Sequence, residues 1–235
     1  MLSRKLTKSI AAGVAVVAIG AGSYGIVAAT SSSASTTAST SSGSSSPASG
    51  GGGSNARSGP AAGGTVGTVS SVSAPGFTVK TATGQTATIH ETSATTYQKG
   101  TSPASVSAVT TGQSVLVLGT TDSTTITATQ VTVQPAGSGS APSSASQVVA
   151  FSRGASSTSK QVGQIPADYK QGSGTIVSGT AANKATEVAL AAYPGGIVDR
   201  VVHLSNGEHE DHYIGVNWPH HIFVNQDFQV IGADD

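Results

Sequence analysis

The sequence predicts a mixed, largely β protein. In order, it reads as an N-terminal signal or anchor helix, a disordered linker, a small all-β barrel or sandwich, a second linker, and a small α+β domain with one helix packed on an antiparallel sheet. Three observations carry this reading. Two Val/Thr/Ile-rich stretches are separated by chain rich in Ser, Gly and Ala. Within the first stretch, apolar and small polar residues alternate with the period of a strand. Within the second, one segment has helical spacing and is followed by strand pairs around tight turns.

Composition sets the scale. Of 235 residues, 9% are charged and 4% aromatic, and 30 are Gly. That is too little bulky apolar material for one large core, and it favours two small ones joined by unstructured chain. The balance of 11 Lys+Arg against 11 Asp+Glu hides an asymmetry. Residues 1–29 carry Arg4, Lys5 and Lys8 with no acid, whereas residues 181–235 carry eight acids against Lys184 and Arg200. The charge pattern speaks against nucleic acid as a partner, because phosphate binding needs clustered cations. The absence of Cys rules out disulfides, Fe–S clusters and thiolate zinc sites.

The first 29 residues have the order of a secretory signal: a basic start, an apolar run from Ile10 to Ile19, then small residues, with Val27 and Ala29 suited to cleavage after Ala29. Ile10–Ala29 is also an uncharged stretch of 20 residues, long enough for an uncleaved membrane anchor. Both readings place the remainder outside the cytoplasm, secreted or held on the outer face of the membrane. Residues 30–63 are Ser, Thr, Ala, Gly and Pro apart from Asn55 and Arg57. Such chain cannot bury enough apolar area to offset the entropy of ordering, so it reads as a flexible tether.

Residues 64–134 form the predicted β domain, with strands near 65–73, 76–82, 86–91, 114–119 and 124–133. The pieces "GTVGTVSSVSAPGFTV", "SVSAVTTGQSVLVLG" and "ATQVTVQ" resemble bacterial domain-of-unknown-function family 5666. That resemblance implies a small exported β domain and supplies no catalytic residues. Residues 135–179 read mostly as disordered linker. Their apolar islets "QVVAF", "QIPADY" and "GTIVSG" could equally dock on a neighbouring domain as short strands.

Residues 180–235 carry one clear helix, "GTAANKATEVALAAYPGG". Ala185, Val188, Ala189 and Ala192 lie on one face, Thr180 is placed to cap the start, and Pro194-Gly195-Gly196 stop it. "IVDRVVHL" and "EHEDHYIGV" then flank an Asn206-Gly207 turn, and "HHIFVN" and "DFQVIG" make a second strand pair. The helix, the strand "IVDRVVHL", "HYIGV" and "IFVNQDFQVIG" resemble a PepSY-type domain. Such domains occur in propeptides of secreted metallopeptidases and in cell-surface proteins, so the resemblance implies a peptidase-binding role.

The hairpin raises the main chemical question. A two-residue Asn-Gly turn would set His203 opposite Glu210 and put His203, Glu210 and His212 on one face. Two imidazoles and a carboxylate can hold zinc with one position open. The same residues also read as ordinary solvated strand side chains. His220-His221, exposed after Pro219, read as an adventitious metal-holding pair. Protonation of histidines near so many acids would favour stability at pH 6 over pH 8. No Gly-x-Ser-x-Gly or Walker motif occurs. The expectation is therefore a non-enzymatic, exported or surface-tethered protein that binds an extracellular protein or cell-wall component, or else binds metal through the hairpin.

Overall fold

A long first strand organises the fold. In the computed structural model, which describes residues 59–135, 161–216 and 218–235, β1 (Ala61–Ser73) pairs with β6 (Ser114–Asp122) along one edge. Its other edge is divided. Thr68–Ser73 pair with β2 (Gly76–Lys80), whereas Gly64 and Thr65 pair with β10 (Ile197–His203). Three glycines permit this crowding. A Cβ on Gly63 would run into the carbonyl oxygen of Val198, one on Gly64 into that of Val117, and one on Gly67 into that of Lys80.

The first half closes into a small barrel. β1 pairs β2, β2 pairs β3 (Thr86–His90), β3 runs parallel to β7 (Thr125–Val133), β7 pairs β6, and β6 returns to β1. β4 (Thr96–Lys99) continues along β7 and carries β5 (Ser102–Ala104) on its far edge. These two short strands were not individually placed by periodicity. The interior is the alternate set expected of strands: Val69, Phe77, Val79, Ile89, Val115, Val117, Ile126 and Val131.

The second half is an antiparallel sheet of β10, β11 (His209–Ile214), β12 (His221–Val224) and β13 (Val230–Asp234). One face is covered by α1 (Thr180–Ala192), which buries Ala182, Ala185, Thr186, Ala189, Leu190 and Ala192. These small side chains let the helix sit close to Val198, Val201, Tyr213 and Ile222, and also to Val66, Leu116 and Leu118 of the barrel wall. The two halves therefore share a strand and a core. Thr180 is the first helical residue; the cap position falls on Gly179, at φ +80°, and no side chain caps the start.

The other face is covered by residues 161–179. The islet "QIPADY" docks there, and β8 (Val162–Gly163) just before it pairs with β13; "GTIVSG" supplies β9 (Thr175–Ile176), which pairs with β10. Ile165, Tyr169 and Ile176 pack on Val202, Leu204 and Phe223. This part of the expected linker is thus an ordered strap, while "QVVAF", the signal or anchor segment and most of the first linker lie outside the described residues. No helix among the described residues is long and apolar enough to cross a membrane.

Gly64 should accept no side chain. Gly64→Ala is expected to lower the urea-unfolding free energy by about 1–3 kcal/mol. Gly59→Ala, where nothing lies within 4 Å, should stay within about 0.5 kcal/mol of the parent.

Candidate metal centre

The hairpin register differs by one residue from the one the Asn-Gly turn suggests. Leu204 N–H donates to the Glu208 carbonyl and Gly207 N–H to the Leu204 carbonyl. The loop is therefore Ser205-Asn206-Gly207, with Gly207 at φ +86° as the left-handed residue. That is the three-residue hairpin with a glycine bulge, not the two-residue turn. His203 consequently opposes His209, and Glu210 opposes Val202. Since successive side chains alternate between faces, His203 goes to the helix face and Glu210 and His212 to the strap face. The sequence-predicted trio of His203, Glu210 and His212 is split. His203 is exposed, with its ring 5.2 Å from that of His209.

A bulge between Val198 and Arg200 makes a second correction. It allows Val198 and Val201 both to enter the helix-side core while Arg200 turns to the strap face. Across four strands, Arg200, His212, His221 and Asp234 then stand in register as one row. Cross-strand neighbours of this kind lie about 5 Å apart at Cβ.

His220 completes the group. Its backbone is fixed on both sides, with Tyr213 N–H donating to its carbonyl at 2.7 Å and its own N–H donating to the Asp234 carbonyl at 2.8 Å. His212, His220 and His221 can each offer a nitrogen within 4.8 Å of the other two. His212 and His221 are buried and His220 is partly exposed, so the cluster opens to solvent on the His220 side.

Carboxylates orient two of the rings. Asp199 Oδ1 lies 2.6 Å from His212 Nδ1, and Glu210 Oε1 lies 2.7 Å from His221 Nδ1. An ionised carboxylate only accepts, so the ring proton of each neutral imidazole sits on Nδ1 and Nε2 presents its lone pair. This is the carboxylate–histidine arrangement that fixes metal-ligating histidines and raises their basicity. Tyr169 Oη, 3.0 Å from His221 Nδ1, brings the strap to the same point. The Nε2 atoms of His212 and His220 face each other at 2.6 Å.

Burial favours the neutral form of His220. It lowers the His220 pKa from 6.5 to about 4, helped by the charges of His212, His221 and Arg200 and opposed by Asp199. His209, buried and stacked on Phe228, is lowered for the same first reason, with His203 adding to it. On the helix side, fully buried Asp211 is pushed well above the usual carboxylate range by desolvation and then by Glu210. Neither of its oxygens has a partner in hydrogen-bonding geometry, although the Thr186 hydroxyl opposes the shift.

Imidazoles suit zinc, copper and nickel, and three of them with one open position form a recurrent zinc set. Sequence reasoning missed His220 and His221 as partners of His212 because the pairing of β11 with β12 crosses an irregular loop. The one signal was the start of "HHIFVN" as a strand. No family model, curated protein or solved structure matches the chain, so the functional reading rests on this geometry.

The histidine shifts reverse the expected pH response. Between about 4 and 6.5 the unfolded chain binds the His220 proton and the folded chain does not. Stability therefore falls as pH drops through that window. Metal-free protein should melt at a lower temperature at pH 5 than at pH 7, and His220→Asn should shrink that difference. Asp211 acts in the opposite sense, since its folded form holds a proton that the unfolded chain has lost above 3.8. Asp211→Asn should raise the melting temperature at pH 8 more than at pH 5, read by circular dichroism.

Proposed function

We propose that this protein is an exported, surface-tethered binding protein whose C-terminal sheet holds a divalent transition metal, zinc foremost, through His212, His220 and His221. The observation that carries the reading is the convergence of three imidazole nitrogens within 4.8 Å, two on rings whose Nδ1 atoms face carboxylates. Two nitrogens on one tetrahedral zinc stand about 3.3 Å apart. His212 and His220 therefore need to part by less than 1 Å from their 2.6 Å contact. His220 sits just before β12, where a small ring movement leaves the ladder intact.

Export follows from the basic, apolar and small-residue order of the first 29 residues. The Ser/Gly-rich tether that precedes β1 would hold the folded part away from the surface that carries it. The role is one of binding rather than catalysis, with the barrel wall available to an extracellular protein or cell-wall component.

Calorimetric titration of the full chain with zinc at pH 7 should show one site in the micromolar range or tighter. His212→Ala, His220→Ala and His221→Ala should each abolish it or weaken it by about 100-fold or more. Asp199→Asn and Glu210→Gln should weaken it by about 10–100-fold. His203→Ala should leave it unchanged. Binding that ignores the three imidazole variants would overturn the proposal.

A further inference from the structure

Arg200 is the feature that a bare metal site does not explain. Its side chain is 3% exposed, and its one ion pair among the described residues is a 3.5 Å contact from a terminal nitrogen to Asp199 Oδ1. That oxygen is already shared with His212. Arg200 Nε has no hydrogen-bond partner among the described residues. A buried guanidinium left this incomplete is costly, because each unpaired N–H forfeits its hydration.

Its place is next to the imidazoles. Arg200 opposes His212 in the row that continues to His221 and Asp234, and its charge acts on both His220 and Tyr169. A divalent ion at the three imidazoles would face this cation across one strand spacing. Asp199, Glu210 and Asp234 supply three formal negative charges around this row, against three positive from Arg200 and the ion, so the unpartnered guanidinium N–H, not charge balance, is what calls for a further acceptor. Asp234, at the far end of the row from Arg200, already accepts the Gln161 amide at 3.1 Å.

We propose that the open position of this centre takes a small oxyanion of the carboxylate class, bound to the metal through one oxygen and to the Arg200 guanidinium through the other. This deepens the metal reading and rests on it. The anion gives the unpartnered N–H an acceptor and reaches the site from the partly exposed His220 side. A guanidinium suits the free oxygen of such a ligand because a hydrogen bond between two ionised groups is roughly twice as strong as a neutral one.

Cobalt(II) in place of zinc makes both layers visible. The full chain is loaded with cobalt and its visible d–d bands are followed during titration with acetate, and separately with chloride. The expected result is a saturable acetate shift, with acetate binding tighter than chloride of the same charge. In Arg200→Met, which keeps the side-chain volume, cobalt should still bind and acetate affinity should fall by about tenfold or more. Absence of cobalt bands in the parent protein would overturn the metal reading and this one together. Cobalt bands indifferent to acetate, or equal affinities for acetate and chloride, would overturn only the anion inference, and these two readouts hold even if Arg200→Met fails to fold. Unchanged acetate affinity in a folded, cobalt-loaded Arg200→Met would do the same.

Discussion

The short pairing of β1 with β10 is the constraint on which the rest depends. Gly64 opposes Val198 and Thr65 opposes Ile197, and Thr65 Oγ1 adds a 3.2 Å hydrogen bond to the Gly196 carbonyl. Through these few residues the barrel edge becomes the edge of the second sheet. The alignment of β10 then fixes the bulge at Asp199, the row beginning at Arg200 and the position of His212. Ile197, at the junction, packs into the barrel core, whereas Val198 packs under the helix. A chain this poor in aromatic residues gains from such sharing, because neither half alone buries much apolar area.

Covering both faces of the second sheet gives the acidic hairpin its unusual character. Glu210, Asp211 and His212 are all buried, although their sequence has the composition of a solvated strand. The helix takes one face and the strap the other, so alternation no longer separates buried from exposed residues. Each polar side chain then needs an answer. His221 serves Glu210 and Asp199 serves His212, while the Asp211 carboxyl is kept as the neutral acid.

What the sequence made legible follows from locality. The barrel strands, the helix and the turn near Gln226 are short-range patterns, and they appear where periodicity and turn chemistry put them. The hairpin was recognised and its register was not, because Asn-Gly supports both a two-residue turn and, with Ser205, a three-residue loop. That one-residue difference took His203 off the face that carries His212, while the pairing of β11 with β12 across an irregular loop brought His220 and His221 to it. The strap was left open between linker and docked strands, because its apolar islets are too short to outweigh a polar surrounding, and only the β10 and β13 edges make them strands. The pairing of β1 with β10 spans more than 130 residues, and no local pattern encodes it.

The metal-free cluster is itself an argument about how the centre is used. Burial and its charged neighbours lower the His220 pKa to about 4, so near neutral pH this ring remains in the ligand-competent form. Metal binding then encounters rings already aimed by carboxylates, which lowers the ordering required. A ligand that binds only the folded chain stabilises it by mass action. Here that stabilisation would fall on β11, β12, the segment before His221 and, through Tyr169, the strap. Occupancy of the site would therefore be felt on the strap as well as on the strands that supply the ligands.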